Sequence, residues 1–241
     1  MAGLGSRFSK EGYTMPKPLI EVDRNRMFLK ALSGLDAIGG EKKYTFVVRR
    51  EHIDSHSIDK AIKEKVPGAN VVVIKETTRG AVETCLKAEK FIDERDAVIS
   101  LDSDLYFRSK KYNELVESVL EEDDIQKLPL DGVLLSFDST DPRFSYAELG
   151  TDGLVKRTAE KNPISNNALV GVYCFSSGKI FLDAAKELIR RNISEKMPEY
   201  YVSYLFNIVL EKGGKVALAK IDEYHSFGTP EELDAYNKKN K

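Results

Sequence analysis

Apolar residues along this chain fall into two alternating patterns. Short runs rich in β-branched and aromatic residues occupy 44–48, 70–74, 97–101, 132–137, 168–175 and 216–221, each bounded by polar residues, glycine or proline. Such runs predict strands. Between them, apolar positions recur at three- and four-residue spacing, which predicts helices over roughly 25–38, 52–65, 80–93, 111–122, 178–192, 199–212 and 230–238. The last opens on Thr229-Pro230-Glu231-Glu232. That is a threonine cap, a proline in the first turn, and acidic residues at the positive end of the helix dipole. Alternation of strand and helix through the first hundred residues implies right-handed βαβ units and a mainly parallel sheet.

Composition narrows the choices without naming one. The 241 residues are 41% hydrophobic, enough for a sizeable core, with no internal repeat and no low-complexity segment. A formal net charge of -2 gives no basic field that would make nucleic acid the main partner. No stretch approaches the roughly 20 apolar residues of a membrane span, and the N-terminus lacks the apolar region of a signal peptide. Cys85 and Cys174 have no metal-ligand spacing and read as small core residues of a reducing compartment. These features lead us to expect a soluble, cytoplasmic protein. The acidic run 121–124 reads as a solvated helix end.

Chemistry concentrates near the start. Ala2-Gly3-Leu4-Gly5-Ser6 offers backbone N–H groups that can curl around phosphate oxygens, and Arg7 adds a planar fork of donors. Lys17 follows between Pro16 and Pro18, which fix its local backbone. A loop basic at both ends suits a triphosphate. It is not a P-loop, whose lysine lies inside the glycine run, and Phe8 stands where a dinucleotide fingerprint needs its third glycine. Asp102-Ser103-Asp104 follows an apolar run, where a carboxylate pair suits either a divalent cation beside phosphates or a helix cap. Thr77-Thr78-Arg79-Gly80-Ala81 opens a helix, as a plain cap or as a place where small residues let a planar base approach. Glu160-Lys161 precedes an apolar run that carries Gly171, and reads locally as a surface ion pair or as a ligand contact. His52 and His56 share a helix face with Asp59 nearby, but read as exposed, non-metal residues. No Ser-His-Asp or Cys-His arrangement is present.

Taken in order, these motifs resemble the sugar-phosphate nucleotidyltransferases, the family of glucose-1-phosphate thymidylyltransferase, written loosely as G-x-G-[ST]-R followed by P-K-P. The likeness runs from Ala2 to Leu233. It implies a Rossmann-like, three-layer αβα fold with a mainly parallel mixed sheet. The single domain 1–241 would comprise a nucleotide-binding half at about 1–105 and an acceptor half at about 106–241. It further implies transfer of an NMP unit from an NTP to a phosphorylated small molecule, most simply a sugar 1-phosphate, giving an NDP-sugar for surface polysaccharide. Rival readings are a cytidylyltransferase for a choline- or polyol-type phosphate and a homologue that binds nucleotide without turnover. The resemblance assigns Arg7 and Lys17 to catalysis. Ala2 to Ser6, Gly80, Ala81 and Asp102 go to the nucleotide, and Glu160, Lys161 and Gly171 to the acceptor. Asp104 is the Mg2+ ligand. A second metal aspartate usually precedes the Gly-Thr of the Gly-Thr-Pro-Glu turn, but Ser226 stands there, which leaves Asp222 as the substitute. Homo-oligomerisation stays open. In the family an apolar strand ending in a pair such as Ala-Gly precedes the phosphate loop, so most of that strand is expected to lie before Met1.

Overall fold

The computed structural model describes residues 1–120, 130–192 and 199–239. The acidic run 121–124 lies outside them. In chain order, the first elements are α1 (Ser6–Lys10), β1 (Glu21–Val22), β2 (Asn25–Arg26), α2 (Met27–Ser33), β3 (Thr45–Arg49), α3 (Arg50–His56), α4 (Ile58–Lys65) and β4 (Asn70–Ile74). There follow α5 (Ala81–Leu86), β5 (Val98–Leu101), β6 (Leu105–Arg108), α6 (Lys110–Leu120), β7 (Gly132–Asp138), β8 (Ser145–Leu149), β9 (Val155–Glu160) and β10 (Asn167–Phe175). The chain continues with α7 (Gly178–Arg191), α8 (Leu205–Glu211), β11 (Val216–Lys220), β12 (Glu223–Ser226) and α9 (Pro230–Lys239). Contacts group these elements into two compact units that do not follow chain order. Unit one is Met1–Thr77 with Asp102–Arg108 and Glu223–Lys241; unit two is Thr78–Leu101 with Ser109–Asp222.

Unit one contains a parallel pair, β3 with β4, in register from Thr45 opposite Asn70 to Arg49 opposite Ile74. Phe46, Val48, Val71 and Val73 of the pair pack with Ile58 and Ile62 of α4 and with Phe28 of α2, buried residues of these helices. Burying a side chain of this size stabilises by about 1.5–3 kcal/mol. The helix expected over 52–65 is two helices, because Ser57 takes a left-handed φ of 50° and ends α3 there. A two-residue hairpin joins β1 to β2, with Asp23 and Arg24 at φ 55° and 63°. Two positive φ values match the right-handed twist of the flanking strands. The antiparallel pair β6–β12 sets Leu105 opposite Ser226. A second apolar cluster joins Phe8 of α1 to Phe227, and to Leu233 and Tyr236 of α9.

Unit two is built on β10, whose buried run pairs antiparallel with β7, β5 and β8; β8 continues antiparallel to β9, and β7 pairs parallel with β11. The expected α/β class with a mixed sheet is therefore present. The sheet is not the mainly parallel one expected. Among the described residues the parallel ladders are β7–β11 and, in a separate two-stranded sheet, β3–β4, and the other ladders are antiparallel. The reason is that short connections, such as that between β8 and β9, join antiparallel neighbours. Phe175 stacks on Phe206 of α8 at 4.5 Å and meets Phe181 of α7 edge-on at 5.2 Å. Such geometry favours aromatic pairs beyond their burial alone. Ser177 starts α7 by accepting the Ile180 N–H at 3.2 Å. Cys174 is fully buried in this core, and burial pushes its thiol up to about 12.

Several expected helices are shorter than their apolar periodicity. The 80–93 pattern is α5 plus a 3-10 turn at Glu89–Phe91, and 199–212 opens as a 3-10 turn, Val202–Tyr204, before α8. The Thr229 start is borne out in full. Thr229 Oγ1 accepts the Glu232 N–H at 3.3 Å, and Glu232 accepts the Thr229 N–H at 3.2 Å, a reciprocal capping box.

Candidate active site

In unit one, the glycine loop leads into α1 through Gly5, whose φ of 63° is left-handed. Its carbonyl accepts the N–H groups of Phe8 and Ser9 at 3.0 and 3.1 Å. The N–H groups of Gly3, Leu4, Gly5 and Ser6 donate to no backbone carbonyl among the described residues. They are a run of open donors at the surface, as an anion cradle requires. Ser6 and Arg7 are exposed, and Arg7 Nη1 lies 3.9 Å from the point that a Cβ on Gly228 would occupy.

Lys17 is held from three directions within unit one. Its ammonium reaches Asp104 Oδ2 at 2.5 Å and the Gly228 carbonyl at 3.1 Å, and it lies 5.1 Å from the centre of the Phe8 ring. The flanking residues account for this placement. Pro16 and Pro18 are buried and start a 3-10 turn at Lys17–Leu19, so the backbone is anchored while the side chain stays partly open. Asp104 is placed by β6, which it precedes, and its carbonyl accepts the Phe227 N–H at 2.7 Å. The structure thus brings Arg7, Lys17 and Asp104 together with Gly228 of the Gly-Thr-Pro-Glu turn, to whose carbonyl the sequence assigned no role.

The donor set fits a divalent cation that arrives with phosphates. Asp104 already accepts a cationic ammonium, its side chain is one-third exposed, and Asp102 nearby in sequence is exposed. No group of three or more His, Cys, Asp or Glu that could hold a metal by itself occurs among the described residues. Mg2+ needs only one or two protein carboxylates when phosphates and water complete its shell.

The neighbouring turn carries a network invisible in the motifs. Ser226 Oγ donates to Glu232 Oε2 at 2.7 Å and accepts the Gly228 N–H at 3.2 Å. Tyr224 is hydrogen-bonded to Ser226, and burial, with the charges of Asp104, Glu232 and Asp102 around it, pushes its phenol well above the ordinary value.

In unit two, Glu160 ends β9. Ser145 and Ser203 both donate to its carboxylate, the second at 3.0 Å. Burial nevertheless pushes this carboxyl above its ordinary range. Lys161, next in the chain, adopts a left-handed φ of 53° that turns it away from the strand. Its ammonium donates to the Tyr201 hydroxyl at 2.8 Å; that bond, with Glu199 and Glu160 nearby, raises its pKa. Gly171 sits within β10 at φ 97°, where the register with β7 shifts, so a β-bulge explains its glycine.

Gly80 has a packing reason of its own. An added Cβ would lie 2.5 Å from the Tyr200 nitrogen and 2.7 Å from its oxygen. The two segments are tied there by Tyr200 N–H to the Arg79 carbonyl at 2.8 Å and Val82 N–H to the Tyr200 carbonyl at 3.0 Å. The next residue, Ala81, is exposed at the start of α5. Asp222 accepts the Lys110 N–H at 2.7 Å and so caps α6. His52 and His56 are half-buried, and burial lowers the pKa of His52.

This chemistry, an open amide loop with a fixed lysine and a carboxylate, belongs to enzymes that handle nucleoside triphosphates. The family model described as Nucleotidyl transferase matches residues 1–212. The chain belongs to the nucleotidyl transferase family, and it is a nucleotidyltransferase. Among solved structures it is similar to the nucleoside-diphosphate-sugar pyrophosphorylase of Vibrio cholerae RC9. That match has 25% identity and a TM-score of 0.83, covering 99% of this chain and 98% of that one. It also shares the fold of a protein assigned as a glucose-1-phosphate thymidylyltransferase from Bacillus anthracis, solved with sucrose. There the identity is 20% and the TM-score 0.74, covering 98% of this chain and 91% of the other. No curated protein matches the sequence.

Proposed function

We propose that this enzyme transfers an NMP unit from an NTP to a sugar 1-phosphate and releases pyrophosphate. An acceptor phosphate oxygen attacks the α-phosphorus in line; the P–O bond to the β-phosphate breaks, and the electron pair leaves with pyrophosphate. The nucleophile is already an anion at neutral pH, so no general base is required. Alignment and charge stabilisation carry the rate. Arg7 and the open N–H groups of Gly3 to Ser6 take the β- and γ-phosphates, and Ala2 and Leu4 flank them. Lys17 stabilises charge growing on the α-phosphate. Asp104, with Asp102 behind it, would hold Mg2+. The ion would supply charge neutralisation on the phosphates. Gly80 and Ala81 lie at the base, and Gly171 with Glu160 and Lys161 at the acceptor. Lys161 stays charged through neutral pH, as a phosphate ligand must.

The observation that carries this reading is the placement of Lys17 on Asp104 and Gly228, beside a loop whose amides are unspent. The likeness to a nucleoside-diphosphate-sugar pyrophosphorylase favours the sugar acceptor, and an NDP-sugar would feed surface polysaccharide assembly in the cytoplasm. No described helix is long and apolar enough to cross a membrane. Pyrophosphate release, measured across all NTPs with sugar 1-phosphates and with choline- or polyol-type phosphates in Mg2+, tests the reading. Turnover confined to the non-sugar acceptors selects the cytidylyltransferase alternative. NTP binding without turnover selects a non-catalytic nucleotide binder, the reading favoured by serine at position 226.

A further inference from the structure

The peptide unit joining Gly228 to Thr229 is gripped on both sides. Its N–H, from Thr229, donates to Glu232 Oε2 at 3.2 Å, and its C=O, from Gly228, accepts the Lys17 ammonium at 3.1 Å. A planar trans peptide points these two groups in opposite directions. Whatever fixes the N–H therefore aims the carbonyl. The preceding peptide is fixed as well, because the Gly228 N–H donates to Ser226 Oγ at 3.2 Å. Ser226 in turn donates to the same Glu232 oxygen at 2.7 Å. One carboxylate oxygen thus controls both peptide planes of the turn. Gly228 makes this orientation especially dependent on those bonds, since glycine restricts its own backbone least.

From this geometry we infer that Glu232, acting through Ser226 and the 228–229 peptide, is the positioning residue for Lys17. A carboxylate, a peptide dipole and an ammonium stand in series, so the negative end of the peptide faces the cation. Asp104 supplies the second bond to Lys17, but a single partner leaves the ammonium free to swing about it. The inference rests on the proposed role of Lys17 at the α-phosphate, whereas the hydrogen-bond series itself does not.

The test compares Ser226→Ala and Glu232→Ala with the conservative Ser226→Thr and Glu232→Gln, in the full chain. The first readout is the rate at which acetic anhydride acylates Lys17, followed by mass spectrometry with Lys179 as the internal reference. It needs no turnover. Both alanine variants are expected to raise Lys17 acylation by about threefold or more, because an ammonium with fewer fixed partners is more accessible to the reagent. Lys179 should not change, and the conservative variants should stay near the wild-type rate. The second readout is kinetic: kcat for pyrophosphate release falls by about tenfold or more while KM for the NTP moves by less than about threefold. Combined with Lys17→Ala, Ser226→Ala should cause little further loss, the non-additivity of residues acting through one another. Unchanged Lys17 acylation in both alanine variants, with only a lower melting temperature, would overturn the inference and leave Glu232 a helix cap. If the wild type turns over no NTP and acceptor pair, the proposed function fails, and the acylation rates still decide this point.

Discussion

Lys17 in unit one is held by a carboxylate 87 residues away and a carbonyl 211 residues away. Glu160 in unit two is held by two serine hydroxyls at the end of a continuous strand. The first arrangement is assembled from loops and turns, each fixed by a few directed bonds. The second is set on a sheet whose apolar residues pack on α7 and α8. Losing one directed bond therefore displaces a group in unit one with little effect on stability. In unit two the scaffold keeps its shape, and a substitution changes the chemistry of one buried group or meets the backbone directly.

The sharpest break of this contrast is Lys17→Ala. Turnover is expected to fall by about a thousandfold, the scale of losing one group that stabilises transition-state charge. Stability should fall by only about 1 kcal/mol, as for a partly exposed ion pair. Initial rates together with a thermal melt check both numbers, and a large drop in melting temperature at near-normal turnover would reverse the assignment.

Asp104→Asn comes next. The Mg2+-dependent rate should fall about a hundredfold, and Asp102→Asn should cost about tenfold or less. Rates titrated with Mg2+ distinguish the two, and equal losses would show that neither carboxylate is preferred.

In unit two the expected effect is on stability. Gly80→Ala places a Cβ at 2.5 Å from the Tyr200 backbone nitrogen, at a φ of 134°. Neither the backbone nor the left-handed geometry can yield cheaply, so the cost should be about 2–3 kcal/mol in urea unfolding. Gly153→Ala is the control. Its φ is 79°, but no atom lies within 4 Å of the added Cβ, and it should cost about 1 kcal/mol from strain alone.

The smallest effect is electrostatic. Burial raises the Glu160 pKa above its ordinary 4.5. Between 4.5 and the raised value, the folded state binds more protons than the unfolded state. Stability from this group therefore falls as pH rises through that window. Glu160→Gln removes this term. Its melting temperature relative to wild type should climb from pH 4 toward neutrality, and parallel curves would place the carboxylate in a solvated setting instead.

Much of the fold was legible because the apolar runs are local. Asn70–Ile74 is a strand end to end, and the other expected strands begin or end within about two residues of their patterns. The strands not anticipated carry alternating or polar sequence. Ser145–Leu149 and Val155–Glu160 pair with each other as a local hairpin, and Glu223–Ser226 owes its pairing to Leu105–Arg108, far along the chain. Ser57 divides a continuous helical pattern because a left-handed serine leaves no periodic mark. For the site, the Gly-x-Gly-Ser-Arg and Pro-Lys-Pro motifs pointed to Arg7 and Lys17, since each needs its neighbours in sequence. The Gly228 carbonyl on Lys17 and the Tyr200 backbone against Gly80 are contacts between distant segments, which no spacing reveals, and the Ser226–Glu232 bond is local but belongs to no periodic pattern. The Thr-x-x-Glu spacing at 229–232 was visible as a helix start, but not as a hold on a lysine.

The order in which unit one is made adds a consequence. Its last segment, from Glu223, emerges more than a hundred residues after Arg108, the end of the strand it pairs with. During synthesis, β6 has no partner at β12 until then, and Lys17 has no carbonyl from Gly228. Unit two, which spans Thr78 to Asp222 apart from residues 102–108, is by then fully translated. A nascent chain that has emerged only as far as Asp222 would hold the β10 sheet complete, with Lys17 on Asp104 but without its second bond to Gly228. The β6–β12 pair and the Gly228 bond to Lys17 thus form only after unit two has been made, when the long loop between β6 and β12 closes.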